Sequence, residues 1–307
     1  MNEDGEGVVF SRLHSLLALQ AKAKVLSLSK HKIRAKNTGQ HLSVFKGRGM
    51  DFAESRPYQA GDDVRTLDWR VTARTGKPHT KLFQEERERP VLIWVDMRNA
   101  MFFATKGAFK SVVAAQLAAL LIWKSKQDGD RVGGMLVSAN QHTEIQPARS
   151  KAGMVRFLKQ IALATQTYQQ LPDPEKPIIL SDEWRRLRRV VATGSRVFIL
   201  SDFRGVDKAA LQQLVAIQKQ AEVTLIPISD PFEHRLPEVD KIRLSAKRRF
   251  FTINLNNRRW KKTYQQRSQN RFEHLRQFTR KYRMGWVSIS SADSQNNRLR
   301  KLMGALR

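Results

Sequence analysis

Cysteine is absent from the 307 residues. That absence excludes a disulfide scaffold, a zinc–thiolate site, an iron–sulfur cluster and a cysteine nucleophile. Long apolar runs are absent too. The longest, Val112 to Trp123, has twelve residues, is interrupted by Gln116 and is flanked by Lys110 and Lys124. It is too short to span a bilayer. The opening MNEDGEGVVF is acidic and has no apolar stretch, so it does not read as a secretory signal. These absences predict a soluble, cytoplasmic protein, with a peripheral place on the inner face of the membrane as the alternative. The motifs of common enzymes are missing as well. There is no P-loop, and Gly47-Arg48-Gly49 lacks the third glycine of a dinucleotide fingerprint. There is no GxSxG elbow, and the seven histidines form no HExxH pair. With no nucleophile and base set out together, the expectation is a protein without chemistry of its own and without a small-molecule substrate.

Acidic side chains are few. The chain has 28 Asp and Glu against 56 Lys and Arg, a formal net charge of +28. Residues 241–307 carry nineteen basic residues against Glu273 and Asp293 only, a net +17, and the first 240 residues carry the other +11. Such a field attracts nucleic acid, an anionic membrane or an acidic protein surface, and does not choose among them. The basic segments match no named nucleic-acid motif.

What is present is apolar patterning, with 41% hydrophobic residues, enough for a packed core. Residues 1–40 hold an amphipathic, basic helix over 8–36, carrying Leu13, Leu16, Leu17, Val25 and Leu28. Its expected place is against its own domain, with a membrane surface as the alternative. Residues 41–89 read as a small β element. Leu67, Trp69 and Val71 alternate with polar residues, which predicts a half-buried strand over 65–73, paired with Thr80–Gln84. Residues 90–307 alternate strand and helix. Strands are expected at 91–95, 131–137, 196–201 and 222–228, and helices at 108–124, 154–164, 179–191 and 208–220. That order predicts an α/β fold, a mostly parallel sheet with helices on both faces. A hairpin over 242–255, a long basic helix over 257–283, a strand over 286–289 and a last helix complete it. Trp260, Tyr264 and Phe272 have the spacing of a helix face packed on the core.

Two acids stand out by position. Asp96 ends the strand VLIWVD and Asp202 follows the strand VFILS. Ligands of open α/β sheets bind beyond the carboxyl ends of strands, where the strand order reverses. Two carboxylates there suit a hard divalent cation. They equally suit capping of the helices that follow.

The segment from Gly47 to Asp96 resembles the signature of the bacterial domain of unknown function 58 family. The matching positions are Gly47, Gly49, Phe52, Arg56, Tyr58, Gly61, Asp62, Asp63, Arg65, Asp68, Trp69, Ala73, Arg74, Phe83 and Glu86. DGDRVG, ILSDF and ISDPFEHRLPE resemble further family pieces, and the likeness spans roughly residues 10–295. The resemblance implies a von Willebrand factor A-like fold. It also implies a gene beside that of a MoxR-type AAA+ ATPase, and a role as partner or adaptor of that ATPase. The fold suggests a metal-ion-dependent adhesion site of pattern D-x-S-x-S, which suits Mg²⁺. This chain reads Asp96-Met97-Arg98-Asn99-Ala100, so Arg98 and Ala100 replace both serines. Asp202 matches the second aspartate, and Thr165 or Thr167 the threonine. Asp96 and Asp202 are therefore the metal candidates of a degenerate site, and Arg98 is expected to stand where the ion would be. Asp96, Arg98, Asn99, Asp202 and Arg204 are the expected partner-binding residues. Arg56, Tyr58, Asp62, Asp63, Arg65, Asp68, Trp69 and Arg74 are expected to form either an ion-pair network or a docking surface. The alternative function is binding of nucleic acid or anionic membrane through the basic C-terminal segment.

Overall fold

The computed structural model describes residues 5–26, 50–85, 89–139, 142–170, 178–237, 239, 241–246, 249–255 and 258–305. The elements in chain order are α1 (Leu13–Ala23), β1 (Met50–Pro57), α2 (Trp69–Thr75), β2 (His79–Glu85), β3 (Pro90–Met97), α3 (Lys110–Gln127), β4 (Arg131–Ser138) and β5 (His142–Ala148). There follow α4 (Lys151–Gln166), α5 (Leu180–Val190), β6 (Ser195–Ser201), α6 (Lys208–Gln218), β7 (Ala221–Ser229) and α7 (Pro231–His234). The chain closes with β8 (Lys241–Ala246), β9 (Arg249–Asn254), α8 (Arg258–Lys281), β10 (Gly285–Trp286), β11 (Ile289–Ser290) and α9 (Gln295–Ala305). It divides into two compact units, residues 1–30 with 89–307, and residues 31–88.

In the larger unit the sheet order is β5-β4-β3-β6-β7-β10, and β11 pairs further along β7. All pairs are parallel except β4 with β5. From β3 the chain therefore winds outward through β4 and β5, then returns to the other side of β3 for β6, β7 and β10. This is the doubly wound order, and it reverses between β3 and β6. The single strand expected over 286–289 is two short ones, and the expected hairpin is β8 with β9, pairing Ile242 with Ile253.

Seven of the eight residues of β3 are buried, as a strand covered on both faces requires. One face of the sheet packs against α3 and α4, the other against α5, α6 and the later part of α8. Helix α3 is apolar nearly all round because it is a middle layer. It has the sheet on one side and α1 on the other, where Leu16, Leu19 and Ala23 are buried and Trp123 Nε1 donates to the Leu16 carbonyl at 3.0 Å. Burying each such leucine contributes about 1.5–3 kcal/mol. The first helix thus packs on its own domain. The helix is shorter than the expected 8–36: residues 8–12 and 24–26 are not helical and Val25 is exposed, while Leu28, Lys30, Lys32, Arg34 and Lys36 lie outside the described residues, as do Gly47, Gly49 and Glu86.

The smaller unit corrects one expectation. Residues 65–73 are not a strand. They form a turn at Val64–Thr66 and then α2, and Trp69 is 71% exposed instead of facing inward. The partner of β2 is β1, with Arg56 opposite Thr80. The physical reason is capping. Asp68 Oδ1 accepts from the Val71 N–H at 3.2 Å, and Gly76 closes the helix at φ 70°. An N-cap aspartate and a left-handed glycine outweigh the short alternation between them. A second correction concerns α8. Leu275 is buried and Phe278 packs beside it, but Trp260 is 39% exposed and, like Tyr264, belongs to neither buried cluster.

Two outcomes are expected. A methyl at Gly134 would run into the Ile93 carbonyl on β3 and the Phe157 ring on α4. Gly134→Ala should therefore lower stability by about 1–3 kcal/mol in urea unfolding. Asp68→Ala should cost about 1 kcal/mol through the lost cap, and Asp68→Asn, which keeps the acceptor, should cost less.

Candidate functional site

The carboxyl ends of β3 and β6 lie side by side where the strand order reverses. Asp96 is the penultimate residue of β3 and Asp202 directly follows β6; both are fully buried. Each carboxylate is met by a cation of the chain itself. Arg98 Nε donates to Asp96 Oδ1 at 3.0 Å and its Nη2 to Oδ2 at 2.8 Å, a two-pronged contact. The Arg98 backbone N–H adds a bond to Oδ1 at 3.0 Å, and the Ser201 hydroxyl donates to Oδ2 at 2.6 Å. Asp202 is held by Lys110, the first residue of α3, whose ammonium is fully buried. Lys110 Nζ donates to Asp202 Oδ2 at 2.8 Å and to Glu233 Oε1 of α7 at 2.7 Å.

Arg204 closes the cluster from outside. Its Nη2 donates to Glu233 Oε1 at 2.9 Å, its Nε lies 3.4 Å from Asp202 Oδ2, and its side chain is 42% exposed. Its backbone ties it to Asp202 and to Arg98: the N–H donates to Asp202 Oδ1 at 3.0 Å, and the carbonyl accepts from Arg98 Nη2 at 3.0 Å. Arg271 of α8 reaches Glu233 Oε2 at 3.3 Å. The turn is held by Phe203, a buried residue at φ 54°, whose N–H donates to Ser201 Oγ at 2.8 Å. A large side chain in the left-handed region stores strain and persists only where its surroundings overdetermine it.

The charges are mutually adjusted. Burial pushes the Asp202 carboxyl up, but the charge and hydrogen bond of Lys110, with Arg204, outweigh it and leave Asp202 below the usual carboxylate range. Burial also works against the Arg98 and Arg204 guanidiniums. Asp96 outweighs it for Arg98, and Glu233 with Asp202 for Arg204, so both stay above the ordinary arginine value. For Arg271 burial prevails and the value falls. A third strand-end acid, Asp230 after β7, is pulled down despite its burial by the Ser291 hydroxyl and by the Thr105 hydroxyl and N–H.

These donors do not fit a divalent cation. Both oxygens of Asp96 accept from Arg98, and both oxygens of Asp202 accept from Lys110 or Arg204. Among the described residues no three His, Asp or Glu side chains converge as metal ligands. Thr165 and Thr167 do not complete such a site. The Thr165 hydroxyl bonds the Ser11 N–H and the carbonyls of Ser11 and Ala162, and the Thr167 hydroxyl bonds the Ala164 carbonyl. Asn99 opens the turn Asn99–Met101 after Arg98.

Sequence reasoning brought out Asp96, Arg98, Asp202 and Arg204, and the fold brings these four together. It missed Lys110, Glu233, Asp230 and Arg271. A lysine heading an otherwise apolar helix was the available signal for Lys110. The segment ISDPFEHRLPE already held Asp230 and Glu233.

The signature residues of the smaller unit are engaged locally. Arg56 grips Asp62 through both nitrogens, at 2.8 and 2.7 Å, and these bonds, with the Gln59 N–H, hold Asp62 below its usual range. Asp63 and Asp68 accept from the N–H groups of Arg65 and Val71. The Tyr58 N–H donates to the Pro78 carbonyl. Trp69, Arg65 and Arg74 are exposed, and neither arginine forms an ion pair among the described residues.

Comparison with known proteins adds the following. The profile described as "Protein of unknown function DUF58" matches residues 54–274. Uncharacterised proteins of Mycobacterium bovis and Mycobacterium tuberculosis are 32% identical over 225 residues, covering 73% of this chain and 69% of theirs. Among solved structures, the conserved hypothetical protein BatB of Bacteroides thetaiotaomicron is 14% identical with a TM-score of 0.46. An aerotolerance-related membrane protein of Bacteroides fragilis is 12% identical with a TM-score of 0.43. Each alignment covers 71% of this chain and 98% of the other.

Lys110→Met would leave Asp202 and Glu233 without their buried cation, and should cost about 3–5 kcal/mol in urea unfolding. Acid should act through Asp202 and Asp230. Their folded values lie below the unfolded one of about 3.9, so the stability they contribute is complete above that pH. It is lost as pH falls toward the lower folded values. The loss of urea midpoint on Asp202→Asn or Asp230→Asn should thus stay level from neutral pH to about pH 5 and shrink below about pH 4.

Proposed function

The chain belongs to the DUF58 family, and from that premise we propose that it is a non-enzymatic interaction module, the partner or adaptor of a MoxR-type AAA+ ATPase. The proposed contact is the strand-end cluster of Asp96, Arg98, Asp202 and Arg204. One observation carries this reading: Arg204 is 42% exposed yet held by two buried carboxylates at the sheet's switch point. A fixed cation on a rigid scaffold, at the place where α/β sheets bind ligands, is a recognition element for an acidic protein surface. No reaction is assigned. The Ser201 hydroxyl donates to Asp96, whose carboxylate is already held by Arg98, and accepts from the Phe203 N–H. The proposed location is the cytoplasm or the inner face of the membrane. Among the described residues no helix is long and apolar enough to cross a bilayer.

A second reading rests on α8. Trp260 stacks on Tyr264 with ring centroids 5.5 Å apart, and Arg259, Thr263 and Arg267 line the same cavity of about 340 Å³. Aromatic rings beside arginines are what single-stranded nucleic acid stacks on. Binding of that kind would be steeply salt-dependent.

Affinity purification from native cells, with nuclease treatment, separates the two. The AAA+ ATPase should be recovered after nuclease. Its affinity should fall at least about tenfold in Arg204→Glu, the scale of a central interface residue, while circular dichroism shows the variant folded. Recovery of nucleic acid in place of the ATPase, lost in Trp260→Ala, would move the function to α8.

A further inference from the structure

We infer that the strand-end site is an acid receptor that works without a metal, in which Arg98 takes the cation's position on Asp96 and, with Arg204, binds a carboxylate of the partner protein. The inference rests on the proposal that a protein partner binds at these strand ends; it concerns the chemistry of that contact.

The donor inventory leads there. A guanidinium has five N–H groups. On Arg98, Nε and one Nη2 hydrogen serve Asp96, and the other Nη2 hydrogen serves the Arg204 carbonyl. The two hydrogens on Nη1 make no bond among the described residues. Nη1 lies beside Gly205, where an added Cβ would be in ordinary contact with it at 3.8 Å, and it is not among the buried polar atoms that lack a partner, so solvent reaches it. Arg204 repeats the pattern. Its Nη2 serves Glu233, its Nε lies near Asp202, and its Nη1 makes no bond among the described residues. Because Arg98 donates to the Arg204 carbonyl, the two residues are adjacent, and each keeps one pair of N–H donors.

Two physical features make this a receptor. Arg98 is only 16% exposed, so its charge is poorly screened by solvent. Both guanidiniums are already oriented by fully buried acids, so binding orders little that was loose. A divalent cation would compete with a covalently tethered guanidinium for both oxygens of Asp96, and with Lys110 for Asp202. The geometry favours carboxylate over phosphate as the guest. Phosphate sites recruit backbone N–H groups. Here the backbone N–H groups of Arg98 and Arg204 point back at Asp96 and Asp202.

The test uses the isolated full chain, ¹⁵N-labelled, with sodium glutarate as the carboxylate probe at constant ionic strength. The arginine Nε–H resonances are followed by NMR. Glutarate should shift those of Arg98 and Arg204 saturably, and its affinity should change less than about twofold between EDTA and millimolar Mg²⁺. Arg98→Lys keeps the charge and loses the fork, and should weaken glutarate about fivefold or more. Mn²⁺ titrated alone should bind the Arg98→Ser, Ala100→Ser double variant at least about tenfold more tightly than wild type. The inference is overturned if wild type binds Mn²⁺ as tightly as the double variant, if glutarate requires Mg²⁺, or if Arg98→Lys binds glutarate like wild type. Inorganic phosphate moving the same resonances at lower concentration than glutarate would overturn it too. Should the double variant fail to fold, the wild-type metal titration and Arg98→Lys still decide. No partner is present in these titrations. A lost glutarate response with ATPase capture intact therefore sinks the receptor alone, and failed capture with the response intact sinks only the partner.

Discussion

The ammonium of Lys110, fully buried between Asp202 and Glu233, is the interaction on which the site depends. Burying an ion costs several kcal/mol unless it is paired and hydrogen-bonded. Here three fully buried carboxylates, Asp96, Asp202 and Glu233, are each met by a cation that belongs to the chain. Lys110 stands at the start of α3, Asp202 at the end of β6, Glu233 in α7, and Arg271 in α8 reaches the same glutamate. One charge thus ties together α3, the end of β6 and α7, and Glu233 joins α8 to them through Arg271. Remove it, and only the partly exposed Arg204 still bridges Asp202 and Glu233.

This arrangement puts cations of the chain itself on the strand-end carboxylates. The position follows from topology, because the strand order reverses between β3 and β6 and leaves their carboxyl ends open between diverging connections. The chemistry follows from Arg98 and Lys110. Both are covalently part of the chain, so the positive charge beside these acids is fixed in place. Its outer member, Arg204, is partly exposed, while its inner members are buried. The cluster thus runs from a buried pair to a partly exposed guanidinium that the inner acids orient.

Much of the scaffold was legible because its signals are local. VLIWVD and VFILS read as buried strands with an acid at the end, and both are. The apolar helix after β3 was legible as a helix, but not the reason it is apolar all round, which is the cover that α1 places on it. Residues 65–73 misled because Leu67, Trp69 and Val71 alternate over too short a stretch to outweigh the caps at Asp68 and Gly76. Trp260 misled in the opposite way. Its spacing along α8 matches Phe272 and Leu275, but that helix meets the buried clusters only further along.

By itself the sequence determined the class of fold, the family, the two strand-end aspartates and the arginine that follows the first of them. These depend on periodicity and on residue identity at fixed spacing, which are properties of the chain. Only the tertiary structure decided the roles of Lys110, Glu233 and Arg271. Lys110 is 92 residues from Asp202 and 123 from Glu233, and no local pattern links them. A lysine at the head of a helix is ordinarily a solvated flank. It becomes the centre of a buried cluster only when the sheet, α3 and α7 close around it, because only then is water excluded and its charge left to the two carboxylates.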